Sequence, residues 1–239
     1  MSEPGLQTSV GEWVAQRPST SRIFESLRID YCCGGSVPLS QACAARQLDP
    51  QVVLERLREV AREPVLESER WAEAPLADLC DHVEQTHHAY LRSELPRLQA
   101  LVTRTLQAHG TSHPELLEVR SAFADLVAEL TPHMLKEEQV LFPAIRQLEL
   151  DGEPVRFPFG SVANPIRMME HEHDLAGLAL GRIRRATGDY LVPEDACPTY
   201  RAMLDALQQL ERDMHQHVHK ENNILFPRAR EVERLASSG

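Results

Sequence analysis

His133 and Glu137 stand four residues apart, and so do His217 and Glu221. Residues four apart on an α-helix lie about 40° from one another around the axis, so each pair shares a face. An imidazole beside a carboxylate on one helix face is a metal-donor arrangement. The two pairs belong to matched segments: His133, Lys136, Glu137, Leu141, Phe142 and Pro143 recur as His217, Lys220, Glu221, Leu225, Phe226 and Pro227, each 84 positions later. Upstream, His88 precedes His133 by 45 residues and His173 precedes His217 by 44. A lone His-x-x-x-Glu is a weak signal; two copies with matched endings and matched upstream histidines are a strong one. Four histidines and two glutamates are too many for one tetrahedral zinc. They suit two metals sharing bridging carboxylates, and mixed imidazole and carboxylate donors favour iron or manganese. With three to four protein donors per metal, a position stays open for oxygen, nitric oxide or a bridging oxo or hydroxo group.

These donors need long helices to carry them. Apolar residues recur at helical spacing, which predicts helices over about 75–108, 114–149, 165–187 and 197–233, with no sustained alternation that would mark a strand. Leu126, Leu130, Val140 and Ala144 line up with His133 and Glu137; Leu210, Met214 and Ile224 flank His217 and Glu221; Ile166, Met169, Ala176 and Leu180 centre on His173. Burying His and Glu in such stripes is costly without a cation between them. In the first helix, Val83, Leu91 and Leu98 centre slightly nearer His87 than His88, which leaves that choice open. His171, His215 and His219 point about 160° away from the stripes and are expected in solvent. The architecture expected is an all-α four-helix bundle over residues 75–239, where metal sites sit between facing helices. Residues 1–62 form a small helical domain in which Pro18, Pro38 and Pro50 introduce short helices, and residues 63–74 lack a period and read as a linker.

Composition narrows the partners. The net charge of −11 argues against nucleic acid or an anionic membrane, and no apolar run approaches a membrane span. The N-terminus shows no secretory leader. Five cysteines, an odd number with Cys32 and Cys33 adjacent, make a poor disulfide framework and fit a reducing cytoplasm. Cys43, Cys80 and Cys197 read as packed thiols. A bond between Cys32 and Cys33 would be strained and readily reduced, which fits a redox or nitric-oxide-sensitive pair as well as two structural cysteines at a helix end, with Gly34 and Gly35 letting the backbone turn tightly. Among 25 basic residues only two are Lys, and both, Lys136 and Lys220, immediately precede the repeated glutamates. This suggests that a compact ammonium is needed there where a guanidinium would not fit.

Four stretches together resemble one family: Asp30 to Gly35 with its Cys32-Cys33 pair; His133 to Glu138; Glu172, His173 and Asp174; and His217 to Pro227 with Glu221, Asn222 and Asn223. The pattern resembles the hemerythrin-like four-helix domain and, over nearly the whole chain, the repair of iron centres family within it. In that family the first-helix ligand stands seven residues before a Leu-Pro pair, as His88 stands before Leu95 and Pro96, so the resemblance selects His88. One departure is that Tyr90 and Leu91 occupy a stretch where the family often carries a further histidine. The resemblance implies two iron ions held by His88, His133, Glu137, His173, His217 and Glu221. It also implies a cytoplasmic protein that repairs iron–sulfur clusters damaged by nitrosative or oxidative stress by supplying iron and binding nitric oxide. Its partners would be damaged iron–sulfur proteins and nitric oxide or oxygen, with a homodimer compatible and neither nucleic acid nor membrane expected. Two other classes compete: a carrier or sensor of nitric oxide or oxygen, and a ferritin-like oxidase built on Glu84, His87, Glu170 and His173, which would leave His133 and His217 unexplained.

Overall fold

The structure, a computed structural model, describes residues 4–62, 70–151 and 156–237. It is helical; among the described residues the only extended pairings are two isolated bridges, Ser9 with Pro38 and Phe157 with Gly160. The chain divides into two compact units, one of residues 1–80, 145–156 and 215–239, the other of residues 81–144 and 157–214.

In the first unit, four short helices precede the long ones: α1 Val10–Gln16, α2 Ser21–Ser26, α3 Leu39–Ala45 and α4 Pro50–Ala61. Their ends follow local chemistry. The Ser9 hydroxyl accepts from the Glu12 amide at the start of α1, and Asp49 accepts from the Gln51 amide with Pro50 at the first helical position of α4. Pro18 opens a 3₁₀ turn and Pro38 caps α3, so all three prolines act as helix starts. Val10, Trp13, Phe24, Tyr31, Leu39, Val53, Leu54 and Leu57 form the core of this part. Of the linker expected at 63–74, residues 63–69 lie outside the described residues; beyond them, the carbonyls of Trp71 and Ala74 accept from the Arg228 guanidinium.

The long helices follow: α5 Leu76–His82, α6 Ala89–His109, α7 Leu116–Lys136, α8 Phe142–Asp151, α9 Ala163–Ala186, α10 Pro198–Lys220 and α11 Phe226–Ala236. Three junctions are single π-helical turns, Val83–His88, Glu137–Leu141 and Glu221–Leu225, so α5–α6, α7–α8 and α10–α11 each run on as one rod with a wide turn inside. The four expected helices are thus present. Their buried residues fall every three to four positions, as on α7, where Val119, Ala122, Phe123, Leu126, Leu130 and His133 share a face.

Within the second unit the four rods close into a bundle, each neighbouring pair tied by polar contacts. Glu138 meets His88 and Arg92; Glu172 meets His133 and Lys136; Arg184 meets Glu211; and Asp213 meets His87. The π turn changes one expectation. Val140 was placed on the buried stripe but is 44 % exposed, while Leu141 is 1 % exposed. The wide turn holds one residue more than an α-turn, so the buried position falls four places after Glu137 rather than three.

Candidate metal centre

All three π turns lie where the metal donors were expected. Val83–His88 ends on His88, and the other two begin on Glu137 and Glu221. Such wide turns recur at functional sites because they aim a side chain that a regular helix would turn elsewhere.

In the second unit, His88, His133, Glu137 and His173 converge, and all four are buried. Glu137 Oε2 lies 3.3 Å from His88 Nε2 and 3.2 Å from His133 Nε2, so one carboxylate oxygen serves two imidazoles from different helices. His133 Nε2 and His173 Nε2 face each other at 3.1 Å. The donor atoms of His133, Glu137 and His173 all lie within 4.8 Å of one another. Two ring nitrogens aimed at each other beside a fully buried carboxylate fit a cation between them, because otherwise that charge would be removed from water at a cost of several kcal/mol. His88, not His87, meets Glu137; His87 Nδ1 instead contacts Asp213 at 2.8 Å.

The fourth-helix pair lies in the first unit. His217 and Glu221 are fully buried, with His217 Nε2 3.1 Å from Glu221 Oε1, close to the His133–Glu137 separation. The repeat in sequence is therefore a repeat in local geometry.

Carboxylates that sequence reasoning missed orient the rings. Glu138 Oε1 sits 2.7 Å from His88 Nδ1 and is itself held by Arg92. Glu172 Oε2 sits 3.0 Å from His133 Nδ1, and its other oxygen accepts from the Lys136 ammonium. A carboxylate on Nδ1 fixes the tautomer and leaves Nε2 as the donor to metal. The hydrogen bond to His133, then that from Lys136, holds the Glu172 carboxyl at about 2 despite partial burial. The signal was in the sequence, since Glu138 adjoins Glu137 and Glu172 adjoins His173 within stretches that carry the family resemblance, but the sequence alone assigns neither a role. The Lys136 side chain is 47 % exposed, so a guanidinium is not excluded by crowding; what the position supplies is a cation on Glu172.

The other histidines divide. His171 is exposed, as expected, and His215 is half-buried with its ring edge-on to Tyr31 at 6.1 Å. His219 corrects the expectation of solvent. It is buried, its Nδ1 3.4 Å from the Tyr31 carbonyl oxygen and its ring 5.5 Å from that of Tyr31, and burial pushes it down to about 4. The face that turns away from the donors is covered by the segment carrying Cys32 and Cys33.

In that segment Asp30 organises the backbone. Its carboxylate accepts from the amides of Cys32 and Gly34 and from the Cys32 thiol at 3.1 Å. The hydrogen bond with Cys33, burial and the Asp30 charge all push the Cys32 thiol up, so Cys32 is held protonated while Cys33 is half-buried. Asn223, two residues beyond Glu221, donates to the carbonyls of Tyr31 and Cys32. All five cysteines are free thiols. No helix among the described residues is long and apolar enough to cross a membrane.

Residues 80–229 match the family model of the hemerythrin HHE cation binding domain. Residues 6–61 match a second model, described as a domain of unknown function (DUF542). Among similar proteins, the iron-sulfur cluster repair protein YtfE of Escherichia coli O157:H7 is 37 % identical over 221 residues, covering 92 % of this chain and 95 % of its own. Proteins of the same description from Escherichia coli O17:K52:H18 and Shigella boydii serotype 4 are each 36 % identical with the same coverage. With its bundle matched by one model, its N-terminal segment by the other and nearly its full length by these relatives, the chain belongs to the hemerythrin-like repair of iron centres family, whose cofactor is a pair of iron ions.

Proposed function

We propose that this protein restores iron–sulfur clusters damaged by nitrosative or oxidative stress by donating iron from its di-iron site, and that nitric oxide binds at that site. His88, His133, Glu137, His173, His217 and Glu221 hold the two ions. The observation that carries the assignment is the Glu137 carboxylate, whose Oε2 lies 3.3 and 3.2 Å from imidazole nitrogens of two helices, so that one buried carboxylate stands among donors from both. The matched His217–Glu221 pair supports a second carboxylate of the same kind. When bound, the irons supply open coordination positions and a releasable metal. The chain's part is to aim Nε2 of each histidine, through Glu138 and Glu172, and to surround the donors with apolar side chains. The similarity to proteins named for iron–sulfur cluster repair supports the choice of client.

On this reading residues 1–62 form a small domain bearing Cys32 and Cys33, residues 63–74 a linker, and residues 75–239 the di-iron domain; the two matched models, at 6–61 and 80–229, support that division. Cys33, the more accessible of the pair, is the redox-active thiol, and five free thiols favour the reducing cytoplasm.

The test mixes iron-loaded protein with an iron–sulfur enzyme previously damaged by nitric oxide. Transfer of iron with recovery of the enzyme's activity is expected. Iron that stays bound while the enzyme remains inactive overturns the repair reading and leaves a nitric oxide or oxygen carrier or sensor.

A further inference from the structure

A second cluster of metal donors lies within the second unit, where α6 ends and α10 begins. His109 is the last residue of α6, and the His113 amide donates to the His109 carbonyl at 2.8 Å, which carries the helical path through one more turn. The two rings therefore lie on one side, their centroids 6.1 Å apart. Buried Tyr200 packs edge-on or tilted against both, at 5.3 and 5.4 Å. Asp195 arrives from the loop before α10, and donor atoms of His109, His113 and Asp195 all fall within 4.8 Å of one another. The Tyr200 backbone, then the His109 ring, push the thiol of Cys197, two residues on, down to about 7.

His113 repeats the pattern seen at the iron donors. Glu115 lies 2.9 Å from its Nδ1, and the Asp195 oxygens lie 3.0 and 3.1 Å from its Nε2. His88 and His133 are each held likewise, with Glu138 or Glu172 on Nδ1 and Glu137 opposite Nε2. Donors about 2.0–2.1 Å from a tetrahedral zinc stand about 3.3 Å apart, so Nε2 and the Asp195 carboxylate are near the spacing of co-ligands. Surface ion pairs of this exposure contribute little to stability, whereas two imidazoles and a carboxylate form a donor set suited to zinc with an open position.

We infer that His109, His113 and Asp195 form a binding site for one divalent transition metal of the zinc class, with a fourth position open. Glu115 is a positioning residue that holds His113. The site shares no residue with the di-iron centre.

Iron-loaded full-length protein is titrated with zinc, and metal content is read together with alkylation of each cysteine by peptide mass spectrometry. One zinc per chain should bind without loss of iron. Cobalt(II) in place of zinc should give visible d–d bands without a thiolate charge-transfer band. Asp195→Asn and His113→Gln should weaken zinc binding at least tenfold and abolish the cobalt bands while iron content is unchanged; Asp195 is exposed, and retained iron shows that the bundle is folded. Zinc that enters only by displacing iron, that protects Cys32 and Cys33 instead, or that binds the two variants as tightly as the parent overturns the proposal.

Discussion

Lys136 and His133 share one acceptor, Glu172: the ammonium takes one carboxylate oxygen and the imidazole Nδ1 the other. The lysine thus reaches His133 through a shared anion. Lys136→Met removes that cation, and iron should be lost to a chelator about tenfold faster, within the range typical of groups that orient metal ligands. Lys136→Arg should retain iron, since the half-exposed position admits a guanidinium. Equal loss from both variants would point instead to a demand for the ammonium itself.

The adjacent histidines of the first helix should separate cleanly. His88→Ala removes a nitrogen facing Glu137 and should lower iron to about one per chain or less. His87→Ala removes only a partner of Asp213 and should keep both irons at a cost of about 1–3 kcal/mol in stability. Metal analysis beside thermal melting reads both effects, and a swap between the two variants would refute the first-helix assignment.

These contrasts show what the sequence could and could not reveal. The four rods were legible because each repeats its apolar residues at helical spacing over many turns. The pairing of His133 with Glu137 and of His217 with Glu221 was legible because the motif occurs twice. The π turns were not, because Glu137, Glu138, Gln139, Val140 and Leu141 satisfy an ordinary helix equally well, and only the exposure of Val140 against the burial of Leu141 betrays the extra residue. His219 was expected in solvent, yet it is buried against Tyr31, 188 residues distant in sequence. His87 and His88 differ by one position, too little for a stripe of three residues to resolve.

Gly35 and Asn223 make a sensitive contact. A Cβ at Gly35 would stand 2.1 Å from Asn223 Oδ1, and one at Gly11 would stand 2.3 Å from the same atom. Gly35→Ala therefore forces Asn223 off the carbonyls of Tyr31 and Cys32, and should cost about 1–3 kcal/mol and raise Cys32 alkylation. Gly5→Ala, where an added methyl meets nothing within 4 Å, is the control. Unchanged melting and labelling in Gly35→Ala would show that Asn223 does not hold this segment.

Phe142 stacks on His88 with ring centroids 5.8 Å apart and planes 12° from parallel, and it is fully buried. Phe142→Ala should cost about 3–5 kcal/mol through the cavity it leaves. Because the lost ring also supports a metal donor, the variant should release iron before it unfolds, which a melt followed at both iron and helix signals would detect. Coincident release and unfolding would mean that the stack contributes packing alone.

The wide turn at Glu137 separates what the bundle needs from what the metal needs. With one residue subtracted from Glu138 to Val140, Leu141, Phe142 and Ile145 would follow Glu137 at three, four and seven positions, the spacing of an uninterrupted apolar face, and all three are buried as they stand. Packing would survive that loss. Glu138 would no longer be presented to His88. The added residue thus serves to present Glu138 to His88, at a length the helix's packing does not require.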